Sequence, residues 1–466
     1  MSLSAAEQYL LELINQSRLD PLGEAANQGI GLNTGITEAM GGDIQTTPMQ
    51  VLAPNTQLHA AADEQTEYLL DTGYFTHTGE GGSSAGDRMI AAGFTSPITY
   101  RENLSASSGS LSNMETVMQG HHDALYASPG HRAAIFDANQ TDIGIGEQDG
   151  RFRGRDTSML TEVFAAQAGN RYVTGVAYTD SDRDDFYSIG EGLSGVTFET
   201  TNQTANTAVA GGYALDANST MTDVSILQDG ATIARVSIDT SDGNAKLDLI
   251  VDTRGDYTLA VSTDTVLMSG IDDARLLGVG HLDLTGHDGD NKLLGNSSKN
   301  KLFGGAGDDV IKGYGGRDKL YGDDGADKLI GGGGKDKLYG GEGADKLKGG
   351  GSRDKLFGDD GNDNLIGGGG KDVLRGGAGD DRLKGGGGAD KFVFDSGDDL
   401  IRDFKDDVDT IQIDRALVNG SRDIDDVLDR GQITDGNAVF DFGGDHQLTV
   451  RGVTDLDDLR NDLVIV

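Results

Sequence analysis

A nine-residue period constrains this chain more than any other feature. From Gly286 it can be cut every nine residues, without an insertion, as far as Val393 and Phe394. Units such as GDDGADKLI, GGGGKDKLY and GGEGADKLK follow one another. The eighth position is Leu, Ile or Phe in all twelve units; the sixth is Asp in the last ten and Asn in the first two. A fixed period with one apolar site per unit marks a solenoid, in which each repeat buries its apolar side chain only against its neighbours. A disordered Gly/Asp linker has neither a strict period nor a fixed apolar position.

Each unit has room for one short strand and one turn. Positions seven to nine predict the strand, and alternation sends the eighth side chain inward. Positions one to six predict the turn, where glycine permits positive φ and close backbone approach. The turn exposes carbonyl oxygens and the sixth-position carboxylate joins them, an all-oxygen environment that suits a hard cation such as Ca²⁺. Two units make one coil, so Asp residues eighteen apart stack. One edge carries Asp309, Asp327, Asp345, Asp363 and Asp381; the other carries Asp318, Asp336, Asp354, Asp372 and Asp390. Asn291 and Asn300 replace Asp in the first two units, which therefore read as a cap with weak or absent metal sites. Ninth positions Phe303, Tyr321, Tyr339 and Phe357 predict an aromatic ladder at about 4.8 Å spacing. That ladder serves either as a docking face for the C-terminal segment or as a partner or glycan platform.

The carboxylates are placed by position, not by an acidic bias. Residues 286–394 hold 19 acids, 18 bases and 34 of the chain's 73 glycines. Residues 1–285 hold 39 acids against 13 bases, and 395–466 hold 19 against 7, for a total net charge of −39. That charge argues against nucleic acid and anionic membrane as partners. Zero cysteines exclude disulfides, a thiol nucleophile and a Cys-based zinc site. No apolar run approaches the ~18 residues of a membrane span. The start, Met-Ser-Leu-Ser-Ala-Ala-Glu, predicts no cleavable secretory signal.

The repeat closely resembles the GGxGxDxUx unit of secreted RTX proteins, whose parallel β-roll binds Ca²⁺ between turns. After it, Gly388-Ala-Asp-Lys-Phe-Val-Phe394 and Ile401-Arg402-Asp403-Phe404 resemble the closing segment of RTX hydrolases. The terminal Asp462-Leu463-Val464-Ile465-Val466 is similar to the uncleaved signal read by type I exporters. The resemblance implies a Gram-negative host, type I secretion and an extracellular product. Extracellular calcium modules bind at about 10⁻⁴–10⁻³ M. At about 1 mM Ca²⁺ each site adds only ~0.4–1.4 kcal/mol, but ten sites together decide folding. The expectation is a repeat that is unfolded in the cytosol and ordered outside.

Toward the N-terminus, residues 5–18 place Leu10, Leu11, Leu13 and Ile14 on a helical stripe, and residues 55–70 place Leu58, Ala61, Ala62 and Leu69 on a second. Gly73-Tyr74-Phe75-Thr76-His77, Tyr100-Arg101-Glu102-Asn103, Ser128-Pro129-Gly130-His131 and the strand 159–164 follow in order. This series resembles the bacterial form of the CAP superfamily, the SCP-like proteins, over residues 5–168. The resemblance implies an α-β-α sandwich with a cleft holding His77, Glu102 and His131. Two imidazoles and a carboxylate can hold Zn²⁺ or another divalent metal, or perform acid–base chemistry. Glu115 or Asp123 could supply a second acid; of His121 and His122, at least one is expected to face solvent. There is no GxSxG, HExxH or Walker sequence.

Between these regions, alternating runs at 172–178, 196–198, 224–227, 234–238, 247–251 and 257–261 predict a β-sandwich of about seven strands. It resembles the Ig-like B-repeat and carboxypeptidase-regulatory-like modules. Asp180, Asp182, Asp184 and Glu191 occupy positions 1, 3, 5 and 12 of an EF-hand-type calcium loop, with Asp185 where glycine is usual.

The expected architecture is thus multidomain α+β: a CAP domain (1–170), an Ig-like β-sandwich (171–266), a linker (267–285), an RTX β-roll (286–394) and a β-rich cap with the export signal (395–466). The expected function is a secreted calcium-dependent binding protein whose partners are the exporter and an extracellular glycan, lipid or protein. A hydrolase working through the cleft, and a surface adhesion or matrix protein, are the alternatives.

Overall fold

The computed structural model describes residues 3–217 and 219–466. They fall into two compact units. One holds the residues up to Thr265 together with Leu277–Gly280; the other holds Val266–Leu276 and His281–Val466.

In the first unit, helix α1 (Ala5–Leu19) starts at a capping box in which Ser4 and Glu7 exchange side-chain and backbone hydrogen bonds. Helix α2 (Pro21–Gln28) follows, and Gly29 ends it in the left-handed region. Helix α3 (Thr56–Thr72) is capped by Asn55 and stopped by Gly73. Helices α4 (Ala85–Ala91), α5 (Met114–Ala127) and α6 (Pro129–Ile135) complete the set, the last with Pro129 at its first turn. Strands β1 (Ala53–Pro54), β2 (Thr99–Ser108), β3 (Asp142–Phe152) and β4 (Arg155–Ala166) form one sheet in the order β1-β3-β4-β2. Leu10, Ile14, Met118 and Leu125 pack on one face of this sheet, against Ile143, Ile145, Leu160 and Phe164. Leu58, Ala61, Ala62 and Met89 pack on the other, against Val163 and Ala165. This is the α-β-α sandwich expected for a CAP domain. A Cβ on Gly146 would lie 2.6 Å from the Ala62 carbonyl carbon, so glycine lets α3 lie directly on β3.

The same unit contains the sandwich. Its strands are β5 (Tyr172–Thr179), β6 (Val196–Glu199), β7 (Thr204–Asn206), β8 (Gly212–Asp216), β9 (Met221–Gln228), β10 (Ala231–Asp239), β11 (Ala245–Val251) and β12 (Tyr257–Val261). They pair in the orders β10-β9-β6-β7 and β12-β11-β5-β8. All six alternating runs fall in strands; β7 and β8 are the additions. One pairing, β5 with β11, is parallel. Asp229 and Gly230 both take positive φ in the β9–β10 turn, as a two-residue hairpin turn requires.

The second unit is a parallel β-solenoid of about nine coils. Strands such as Lys319–Asp324, Lys337–Glu342 and Lys355–Asp360 stack in one column, and Lys328–Gly334, Lys346–Gly351 and Asn364–Gly369 in the other. The register advances eighteen residues per coil: Leu320 faces Leu338 and Leu338 faces Leu356. The eighth-position side chains are buried from Leu293 to Phe392. The strands are longer than expected, because the chain bends at the first glycine of the next unit and pairs again at positions two and three. Four left-handed positions of the repeat lack glycine: Tyr314, Asp323, Ser352 and Asp359 have φ between +68° and +80°.

The solenoid outruns the repeat at both ends. In the stretch expected as a linker, Asp273–Leu276 pairs in parallel with Lys292–Leu294, and Asp283–Thr285 with Lys301–Phe303. Residues 394–402 form a thirteenth unit, with Asp399 sixth and Ile401 eighth. The terminal Leu463–Ile465 is an edge strand laid in parallel on Thr410–Ile413, and His446–Arg451 lies in parallel on Gly397–Ile401.

Candidate functional site

The sixth-position aspartates form two internal ladders. The backbone N–H of Asp309 donates to Oδ1 of Asp327 at 2.7 Å, and that of Asp327 to Asp345 at 2.8 Å. On the other edge Asp318 donates to Asp336 and Asp336 to Asp354, each at 2.9 Å. These carboxylates are buried to within 1%. In each of the ten from Asp309 to Asp390, Oδ2 has no hydrogen-bond partner among the described residues. Leaving one such oxygen unpartnered costs ~1–3 kcal/mol or more for a charged group. Burial accordingly pushes Asp309, Asp318, Asp354 and Asp363 up to about 7, and Asp327, Asp345 and Asp372 up to about 6.

The first glycine of each unit sits beside that oxygen. A Cβ on Gly331 would lie 2.5 Å from Oδ2 of Asp336 and 2.7 Å from the Gly349 carbonyl oxygen. Carboxylate and carbonyl oxygens thus converge on a space only glycine leaves open. Unpartnered buried carboxylate oxygens, a carbonyl and no nitrogen donor fit a hard divalent cation. The cap behaves differently. Oδ1 of Asn291 accepts from His287 N–H, while Asn300 accepts from Asn296 and donates to the Leu282 carbonyl. Neutral amides there close their own hydrogen bonds without a cation.

Two aspartates beyond the repeat extend the ladders. Asp381 N–H donates to Asp399 at 3.1 Å, and Asp390 N–H donates to Asp409 at 2.9 Å. Asp399 is buried, with Oδ2 unpartnered, and burial beside Asp381 raises its carboxyl strongly. It keeps the sixth position of a unit whose glycines have thinned, so a repeat read over 286–394 stops short of it. Asp409 follows a one-residue insertion that hides it from a strict nine-residue frame.

The aromatic ladder is present. Phe303, Tyr321, Tyr339 and Phe357 stack with centroids 4.7, 4.9 and 5.0 Å apart and planes within 8°. The facing sides of successive rings are occupied by one another, while Phe303 and Phe357 each stack on one neighbour.

In the sandwich, the carboxylates of Asp180, Asp182 and Asp184 converge within 4.8 Å. Glu191 turns back into the loop, accepting from Ser181 N–H at 2.7 Å and Ser188 N–H at 3.0 Å. Burial, then Asp182, Asp180 and Glu191, raises the Asp184 carboxyl. Asp185 takes φ +63° where an EF-hand-type loop carries glycine.

In the CAP domain, Nδ1 of His77 lies 2.8 Å from Oε1 of Glu102, and Arg88 pairs with Oε2 of the same carboxylate. The Glu102 side chain is nearly buried, whereas the His77 ring is exposed. His131 is half-buried; burial, then the neighbouring His77, lowers its imidazole. Asn103 ties the site to the sheet, donating to the His131 carbonyl and to Oε2 of Glu162 at 2.9 Å. The trios of possible ligand atoms that converge within 4.8 Å among the described residues are Asp180/Asp182/Asp184 and Glu7/His59/Asp63. His77, Glu102 and His131 are neighbours but not so tightly gathered. The second of those trios escaped sequence reasoning; His59 and Asp63, four apart on α3, were its only local signal.

Two expectations need correction, a solvent-facing histidine and a second cleft acid. His121 and His122 are both buried, at 1% exposure each. His121 sits between the hydroxyls of Ser105 and Ser158, with burial lowering it to about 4. His122 lies 3.2 Å from Glu24 and 3.1 Å from Ser17. Neither candidate second acid reaches the cleft: Glu115 accepts from Ile189 N–H, and Asp123 from Gln28 and Gln119.

Two family models match the chain. The RTX calcium-binding nonapeptide repeat matches at residues 285–320, 294–329, 330–365, 339–374 and 366–401. The cysteine-rich secretory protein family, CAP, matches residues 11–155, although this chain has no cysteine. The chain therefore carries a CAP domain and RTX calcium-binding repeats. Such repeats imply calcium binding and are typical of secreted proteins. No curated protein matches. Among solved structures, an extracellular protein containing a SCP domain from Bacillus anthracis is similar at 21% identity, covering 26% of this chain and 35% of its own length, TM-score 0.21. An outer surface protein from Borrelia burgdorferi gives 18% identity over 26% of this chain and 80% of its own, TM-score 0.22. The extracellular lipase LipA from Serratia marcescens gives 19% over 42% and 45%, TM-score 0.21. This chain thus spans about a third of the Bacillus protein. No helix among the described residues is long and apolar enough to cross a membrane.

Proposed function

We propose that this is a secreted, calcium-dependent extracellular binding protein whose repeat region folds only after export. The observation that carries this reading is the pair of ladders of buried carboxylates with unpartnered Oδ2 atoms. In the cytosol, where free calcium is micromolar or less, those charges oppose folding. At millimolar calcium, Asp309 through Asp390 would hold the cation with adjacent carbonyls, and coil formation becomes favourable. A chain that stays unfolded inside suits a type I exporter of a Gram-negative cell, which passes unfolded substrates. The Asp180–Glu191 loop of the sandwich supplies one further calcium site in this reading.

For the CAP cleft we propose binding of a metal or small ligand without turnover. Both oxygens of Glu102 are engaged, one by Arg88 and one by His77, so the carboxylate orients His77 and is not available as a general base. His77, with Nδ1 held, offers Nε2 to solvent. Zn²⁺ is the natural probe for two imidazoles. Glu102→Gln is expected to weaken zinc binding about 10- to 100-fold, the usual effect of losing a carboxylate behind a ligating histidine. Unchanged affinity in a zinc titration would remove the cleft from this account.

The calcium reading is tested by counting ions. Equilibrium dialysis of the full chain at saturating calcium should give close to one ion per sixth-position Asp of the ten, with Asp345→Asn and Asp354→Asn each lowering the count. A count of one or two, unaffected by these substitutions, would overturn it.

A further inference from the structure

Charge on the roll is sorted by edge. The turns leading into the Lys319–Asp324 column carry Arg317, Lys335, Arg353 and Lys371 at their fifth position, and no acid besides the buried sixth-position Asp. The turns leading into the other column carry Asp323, Asp324, Glu342, Asp359 and Asp360, and no cation. All nine of these side chains are exposed.

Each edge stacks like charges at strand spacing. Asp324 faces Glu342 and Glu342 faces Asp360 in successive coils; the four basic residues recur once per coil. Like charges directly opposite one another at about 4.8 Å are destabilising, so each row needs counter-charge from outside itself. Cations held by the sixth-position carboxylates make the basic edge more positive and only partly offset the acidic one, so the edges remain opposite in sign. The strand lysines Lys319, Lys337 and Lys355 recur at this pitch between the edges, and the other edge of the same roll offers a whole row of opposite charge at that pitch.

We propose that the two edges are the two halves of one interface: the basic edge of one roll docks, coil against coil, on the acidic edge of a second copy. The shared pitch keeps every charge pair in register once the first is formed. Because the two surfaces lie on opposite sides of the roll, the contact is heterologous and does not close, so association propagates side by side. This inference goes beyond calcium binding but rests on it, because only a folded roll has edges.

The test is sedimentation of the full chain in millimolar calcium, over a range of protein and salt concentrations. The wild type should associate in a concentration-dependent way. Association should weaken about tenfold or more between ~0.05 and ~0.5 M salt, as the Debye length contracts. A basic-edge variant, Arg317→Glu with Lys335→Glu, Arg353→Glu and Lys371→Glu, should remain monomeric. So should an acidic-edge variant, Asp324→Lys with Glu342→Lys and Asp360→Lys. Mixing the two variants should restore a complex that neither forms alone. Circular dichroism of the same samples separates the two ideas: a variant that orders in calcium yet does not associate supports the interface, whereas loss of calcium-induced order faults the folding reading. A monomeric wild type at every concentration, or a mixture that stays monomeric, overturns the proposal. It is equally overturned if the wild type binds heparin through the basic edge while remaining monomeric.

Discussion

Glu162 shows how the CAP sheet handles a charge it cannot hydrate. It lies on β4 opposite Asn103, fully buried, with Oε2 accepting from Asn103 and Oε1 unpartnered. Burial pushes its carboxyl up from 4.5 to about 7. The folded protein therefore binds a proton that the unfolded chain has released, throughout the window from about 4.5 to 7. Stability falls as pH rises through that window. Glu162→Gln keeps an oxygen for Asn103 and removes the charge. Denaturant melts should find it equal to wild type at pH 4.5 and more stable at pH 8, by no more than ~3 kcal/mol. A variant less stable than wild type at pH 8 would show that the carboxylate is ionised and compensated. His121 and His122 make the related point that sequence cannot resolve. Both sit on a helix whose polar residues look solvent-facing, but hydroxyls at Ser105, Ser158 and Ser17 come from other elements and make burial tolerable.

At the scale of the element, the coil is the unit that matters. Gly331 and Gly333 lie two residues apart in one turn, but their surroundings differ. A Cβ on Gly331 meets Asp336 Oδ2 and the Gly349 carbonyl, while one on Gly333 meets only the Tyr314 carbonyl at 3.8 Å. Gly331→Ala is expected to cost ~1–3 kcal/mol of calcium-dependent stability by overpacking, read as a higher calcium midpoint, and Gly333→Ala far less. Equal midpoints would mean that the first glycine does not shape the cation cradle. The nine-residue period made the coil, its inward Leu column and both Asp ladders legible, because a strict repeat leaves each position one environment. It did not reveal the strands at positions two and three, which depend on pairing with the coil beneath. Nor did it reveal the coils contributed by 273–285 and by 394–402, where apolar and Asp positions persist after the glycines thin out. Helices α1 and α3 were readable from their apolar stripes. The final placement of Glu115 and Asp123 depended on where α5 packs, which no local pattern encodes.

Across the whole molecule, acid is used in two ways. Residues 1–285 and 395–466 carry net negative charge, while 286–394 is nearly neutral by count and buries ten of its nineteen carboxylates in two ladders. The second arrangement is unstable by construction until a cation arrives, since ten charged oxygens lie out of water with no donor. Calcium thereby acts as part of the core of this region, much as apolar side chains do in the CAP domain. The most direct measurement is hydrogen exchange of the full chain, followed by peptide, in chelator and in millimolar calcium. Amides of 301–394 are expected to exchange freely in chelator and become protected in calcium, while those of α1, α3 and β2–β4 are protected in both. Equal protection of 301–394 under the two conditions would contradict calcium's role in the core.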